Sequence, residues 1–262
     1  MKRRGVVIFG VLLVVIGANA QADILHDRFG IELRTNTQGY FTHDWTPVGT
    51  TANYVVHDNK FTTGALPLES YDIEAMYFDD DAINAYFAIV TSLPPQGVEG
   101  TSYSSAYKGI NWGPGDIAFN LGGGTFEYGL STVLDPGRIQ KNAKWQYTEG
   151  SMGFGKLGTP EMLVGTGDYL GNASYYNYYD TGVKERGYST WVLEGTINKS
   201  IFDNPFAGDN IGMRWSVSCN NDLVKLNANF DHNTSAVPEP ATIMLLTSGL
   251  MGMMGIRKRI KK

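Results

Sequence analysis

Through the middle of the chain, hydrophobic positions recur at every second residue in short runs, and each run stops at Gly, Pro, Asn or Asp. That period puts alternate side chains on opposite faces of an extended strand. The cleanest run is IGMRWSVSC. Ile211, Met213, Trp215, Val217 and Cys219 turn inward there, and Gly212, Arg214, Ser216 and Ser218 turn outward. TWVLEGTI sets Trp191, Leu193, Gly195 and Ile197 against Val192, Glu194 and Thr196. YDIEAMYF sets Tyr71, Ile73, Ala75 and Tyr77 against Asp72, Glu74, Met76 and Phe78. NAYFAIVTSL is apolar almost throughout, which predicts a central strand buried on both faces. DIAFNL and TFEYGL flank Gly122, Gly123 and Gly124, a hairpin signal because glycine admits positive φ. GIELRT, GYFTHDW and ANYVVH are weaker strand candidates, and KSIFDNPF predicts a short helical turn. No segment keeps a long helical period and no tandem repeat is present. With 32 glycines and 12% aromatic residues, the pattern predicts an all-β body over residues 23–230, an antiparallel β-sandwich of jelly-roll type.

The two ends follow other rules. Lys2, Arg3 and Arg4 precede an apolar run from Val6 to Ile16 and a small-residue site, Ala18-Asn19-Ala20. These are the three parts of a secretory signal peptide, here residues 1–22, with cleavage expected after Ala20 or Ala22. At the other end, a linker over 231–240 leads into residues 241–262. Ala241 to Ile256 is apolar apart from Thr242, Thr247, Ser248 and glycines. As a helix it spans about 24 Å, slightly less than a bilayer core. Arg257, Lys258 and Arg259, followed by Lys261 and Lys262, form a stop-transfer cluster that stays in the cytoplasm. Pro238 and Pro240 hold the preceding segment extended, because proline lacks the N–H and disfavours helix before it.

The order Val237-Pro238-Glu239-Pro240-Ala241-Thr242, short apolar helix, basic cluster resembles the PEP-CTERM sorting tail of Gram-negative bacteria. The resemblance implies that Pro238, Glu239 and Pro240 are read by a membrane-embedded exosortase. It further implies export through the secretion machinery, a transient stay in the inner membrane, and release or transfer to the cell surface. Proteins with such tails are typically linked to exopolysaccharide and to biofilm matrices.

Charge narrows the partners. The formal net charge is −5, but eight of the 21 basic residues lie in residues 1–22 and 238–262, where the only acidic residue is Glu239. The body is therefore strongly acidic and repels nucleic acid and anionic membrane. Its one cysteine, Cys219, excludes an internal disulfide, so stability must come from the core or from a bound metal.

Across residues 70–219 the strand order resembles DOMON-like and family-nine carbohydrate-binding modules. An acidic turn leads into NAYFAIV, followed by GDIAFNL, WVLEGTINKSIF and DNIGMRWSV. The resemblance implies a jelly roll, calcium among strand-end carboxylates, and ligands on aromatic faces or in a cleft.

Several residues are candidates for chemistry. In DDDAIN, Asp79, Asp81 and Asn84 offer hard oxygen ligands that converge in a turn, a calcium candidate. The alternative is a solvated acidic turn. Asp116, opening the GDIAFNL strand, is a further candidate ligand. Tyr175, Tyr176, Tyr178 and Tyr179 crowd a segment read as a Gly/Asn/Asp loop, where flat rings with polar tips suit sugars or protein surfaces. Trp112, read as a turn residue, is a second aromatic candidate. In ESYDIEAMYF the alternate carboxylates Asp72 and Glu74 share a face, but Ser70 breaks the spacing of laminarinase-like enzymes and Glu69 is expected to point the other way. His26, His43, His57 and His232 form no zinc motif, and GYSTW lacks the second glycine of a nucleophile elbow. The expectation is a non-catalytic, exported surface or matrix module associated with exopolysaccharide and stabilised by calcium. The alternatives are a secreted polysaccharide-acting enzyme and a purely structural matrix or adhesion protein.

Overall fold

The computed structural model describes residues 23–33, 45–50, 52–57, 69–99, 109, 111–122, 126–146, 161–203, 205, 208–218 and 222–231. The signal peptide, Cys219, the Pro-Glu-Pro motif and the apolar tail with its basic cluster lie outside the described residues, as does GYFTHDW before Trp45.

The chain opens with a one-turn helix, α1 (Ile24–Asp27). Fifteen strands follow among the described residues: β1 (Asn53–Val56), β2 (Ile73–Asp80), β3 (Asn84–Thr91), β4 (Val98–Glu99), β5 (Asn111–Trp112), β6 (Ile117–Leu121), β7 (Tyr128–Leu130), β8 (Arg138–Lys141), β9 (Trp145–Gln146), β10 (Glu161–Met162), β11 (Asp168–Asn172), β12 (Tyr175–Glu185), β13 (Tyr188–Asn198), β14 (Asn210–Ser216) and β15 (Leu223–Asn229). Short 3-10 turns occupy Glu69–Tyr71 and Lys199–Phe202. The second of these is the helical turn predicted in KSIFDNPF.

Two antiparallel sheets build the sandwich. One has the order β1-β2-β3-β13-β12 and the other β11-β8-β7-β6-β14-β15. Small ribbons, β9–β10 and β4–β5, flank them. The core between the sheets takes Met76, Phe78, Phe87, Ile89 and Leu193 from the first, and Phe119, Tyr128, Met213, Trp215 and Leu226 from the second. The alternation read in IGMRWSVSC holds, since Ile211, Met213, Trp215 and Val217 all lie in this core. The hairpin across the triple glycine holds as well: β6 pairs with β7 from Ile117↔Leu130 to Phe119↔Tyr128, and Gly122 adopts φ +64°.

The outer face of the five-stranded sheet is also buried. Ala75, Tyr77, Ala88, Val90 and Val192 pack there against Ile24, Leu25, Phe29, Ile31 and Trp45. Phe29 stacks on Tyr77 with ring centroids 5.2 Å apart, and the Tyr77 hydroxyl donates to the Trp45 carbonyl at 2.7 Å. Residues 23–33 together with Trp45 form a strap laid over the sheet. It explains why β3, the central strand, is apolar on both faces. GIELRT is not a strand within its described part: after α1 the chain runs irregularly through Leu33. Gly30 sits at φ +66°, and a Cβ there would meet the Val48 carbonyl oxygen at 2.2 Å, so the strap closes back on itself only with glycine at this position.

One expected face is reversed. β2 pairs Ile73 with Thr91 and Ala75 with Val90, so the register shifts at Glu74. Such a bulge inserts one residue and resets the side-chain phase. Ala75 and Tyr77 face the strap as expected relative to Met76 and Phe78. Tyr71 and Ile73, expected beside Ala75, instead enter the core between the sheets.

Candidate functional site

The acidic turn between β2 and β3 is filled by the protein's own donors. Asp79 Oδ2 lies 3.2 Å from Arg28 Nε. Asp81 Oδ1 accepts the backbone N–H groups of Ile83 and Asn84, each at 2.8 Å, and its Oδ2 accepts the Tyr86 hydroxyl. Partial burial works to raise the Asp81 carboxyl. Donation from Tyr86, Ile83 and Asn84, together with the Arg28 charge, outweighs that and holds it below the usual carboxylate range. Asp80, between them, is buried against Lys199 with Nζ 2.6 Å from Oδ2, and its Oδ1 accepts the Asp231 N–H at 2.8 Å.

Asp116 stands apart from this turn, at the other end of the sheets. Its oxygens accept the backbone N–H groups of Thr132 and Met162, each at 2.7 Å. Burial pushes its carboxyl up to about 6. It lines a groove with Pro95, Gln96, Asn111, Leu134 and Glu161. Pro95 and Gln96 follow the far end of β3, whereas Asn84 begins it. The structure therefore does not bring Asp116 to Asp79, Asp81 and Asn84.

The tyrosine segment is a strand, not a loop. Tyrosine favours the pleated, half-buried surface of a sheet, and β12 forms the edge of the five-stranded sheet with its rings alternating between faces. Tyr176 and Tyr178 pack against the core between the sheets, and Tyr175 and Tyr179 pack under the strap. Three hydroxyls are engaged: Tyr176 donates to the Thr132 carbonyl at 2.7 Å, Tyr178 to the Leu93 carbonyl at 2.6 Å, and Tyr175 to Glu194 Oε1 at 3.0 Å. Burial raises the hydroxyls of Tyr176, Tyr178 and Tyr179 above the ordinary tyrosine range. Trp112 lies in β5 and is buried in the same core rather than offered in a turn.

A different cluster appears where sequence reasoning had set Glu69 apart. The 3-10 turn at Glu69–Tyr71 folds Glu69 back, and the bulge turns Glu74 inward. As a result, carboxylate oxygens of Glu69, Asp72 and Glu74 lie within 4.8 Å of one another. Asp72 and Glu74 have no solvent exposure. The Asp72 carbonyl accepts Thr91 Oγ1 and the Ser92 N–H, which pins the segment to the end of β3. Glu74 Oε1 accepts the Ser92 hydroxyl at 3.0 Å, while its buried Oε2 has no hydrogen-bond partner. Burial, then the charges of Asp72, Glu185 and Glu69, hold the Glu74 carboxyl well above the usual range. Arg186, at the turn joining β12 to β13, reaches Glu69 Oε2 at 3.4 Å. The signal in the sequence was the density of acids in ESYDIEAMYF. The register shift that gathers them leaves no mark in the hydrophobic pattern.

Among the described residues no helix is long and apolar enough to cross a membrane. Residues 236–259 match the PEP-CTERM protein-sorting motif. No curated protein and no solved structure matches the chain. The chain thus carries an exosortase sorting tail at the expected place, and the motif implies an exported protein, recognised by an exosortase and held in the membrane transiently.

Proposed function

We propose that the β-sandwich is a non-catalytic module delivered to the cell surface or extracellular matrix, where it associates with exopolysaccharide and is stabilised by calcium. The sorting motif at residues 236–259 carries this reading, because a dedicated export route marks a protein whose work is done outside. The body supports it in two ways. Its acidic balance repels polyanions and suits cations or neutral polymers. Among the described residues, the group of three acids Glu69, Asp72 and Glu74 is sealed from a polymer chain, since the last two have no exposed surface. A glycoside hydrolase needs its carboxylate pair open to the scissile bond.

The test is affinity electrophoresis of the processed protein, collected from its host, in gels containing the host's own exopolysaccharide. Retarded migration without shortening of the polymer is the expected result. Shortening of the polymer would replace this reading with the enzyme, and unretarded migration would leave a structural surface protein.

A further inference from the structure

We infer that Glu69, Asp72 and Glu74, with Glu185 adjoining, form a calcium-type divalent-cation site at the β3-exit end of the five-stranded sheet. The inference deepens the calcium part of the reading above and rests on it, but it places the ion away from the acidic turn.

The first argument is the unsatisfied oxygen. Glu74 Oε2 is buried and accepts no hydrogen bond, although the side chain is completely enclosed. A buried carboxylate oxygen without a donor is costly, and proteins resolve it with a proton or with a cation. One proton shared within the cluster would leave the remaining acids facing one another. Arg186 lies 3.4 Å from Glu69 Oε2 and brings one positive charge to a cluster of three carboxylates. A dication compensates two charges at once and supplies the partner that Oε2 lacks.

The second argument is span. Calcium binds oxygen at about 2.3–2.6 Å, so ligands on opposite sides of the ion stand about 4.6–5.2 Å apart. The oxygens of Glu69, Asp72 and Glu74 lie within 4.8 Å of one another, which fits one ion among them. The donor chemistry agrees. Each contribution is a carboxylate oxygen and the nearest side-chain partner, Ser92 Oγ, is also oxygen. No nitrogen or sulfur ligand that would favour zinc or copper is among the three. Magnesium usually keeps several waters and avoids enclosed all-protein cages, so calcium is the better match.

The third argument is construction. Glu69 comes from a 3-10 turn, Asp72 from the link to β2, Glu74 from the bulge, and Glu185 from the end of β12. The first three converge on one point, and Glu185 adds its charge nearby. The acidic turn, by contrast, has its carboxylates taken by Arg28, Lys199, Tyr86 and two N–H groups.

The experiment uses the full-length chain in mild detergent, stripped with EDTA and titrated with calcium chloride by calorimetry, with a thermal melt at each end of the titration. Saturable binding is expected by about 1 mM, with a higher melting temperature in calcium. Glu74→Gln keeps the shape and removes the charge. It is expected to fold, to lose at least about tenfold in calcium affinity, and to lose the calcium-dependent rise in melting temperature. Asp79→Asn is expected to bind like the unmodified chain. If Glu74→Gln does not fold, Glu185→Gln, half-buried near the hairpin end, takes its place and is expected to weaken calcium severalfold. Calcium binding that neither variant weakens would overturn this site while leaving the calcium reading standing. No binding at about 10 mM would overturn both.

Discussion

Glu194 is the side chain whose environment most directly sets a pH response. It lies on the outer face of β13 beneath the strap, where its Oε2 accepts the Leu25 N–H at 3.0 Å and its Oε1 accepts the Tyr175 hydroxyl. Burial raises its carboxyl, the two donors pull it back, and the balance pushes it up to about 7 from the ordinary 4.5. Between those values the folded chain holds a proton that the unfolded chain has released. Stability therefore falls as pH rises through that window. Asp116, pushed up to about 6, adds a fall in the same direction at lower pH. Urea midpoints of the EDTA-treated protein are expected to drop between about pH 5 and about pH 8. Glu194→Gln is expected to flatten that drop. The amide resembles the protonated acid in having one carbonyl acceptor and one donor group, so the variant is expected to start close to the unmodified protein at the acidic end.

At the scale of elements, the strap contributes the least regular structure and a full second layer. Phe29 is completely buried and stacks on Tyr77. Phe29→Ala is expected to cost about 3–5 kcal/mol, read as a lowered urea midpoint with the sheets' circular-dichroism signal retained below it. The strands beneath were legible because a sheet facing one core writes its burial into the sequence at period two, as in Ile211 to Val217. Three things were not legible. The strap has no period, since its apolar residues approach the sheet from an irregular backbone, and the described part of GIELRT, a weaker strand candidate, belongs to it. The bulge at Glu74 changes which face Tyr71 and Ile73 occupy without changing the order of apolar and polar residues. The flanking Gly, Asn and Asp of GNASYYNYYDTG outweighed four tyrosines whose alternation between two faces is itself a strand signature. The acid cluster was half legible: ESYDIEAMYF carries alternate carboxylates that suggest a glycosidase pattern, but a straight strand sends Glu69 away and the 3-10 turn brings it back beside them.

For the whole molecule, the sorting tail and the body make separable demands. Replacing Pro238, Glu239 and Pro240 together by alanine removes the residues that the motif's resemblance assigns to exosortase recognition. The expected outcome is a chain that stays in the membrane fraction of its host, where the unaltered protein is recovered from the surface or medium. Equal release of both would separate processing from that tripeptide. The body should not register the change, because its last described contact, the Asp231 N–H on Asp80 Oδ1, lies ahead of the motif.

The bond from Leu25 to Glu194 spans 169 positions along the chain. In a protein threaded outward from its N-terminus, Leu25 and Phe29 emerge early, yet the surface they cover is incomplete until β13 has followed. Contacts so distant in sequence carry a large loop-closure cost and slow folding. Until β13 is in place the apolar residues of the strap have no finished surface to cover. Closing the strap therefore needs nearly the whole body in place, and a bond of this span adds to the non-local contacts that slow folding.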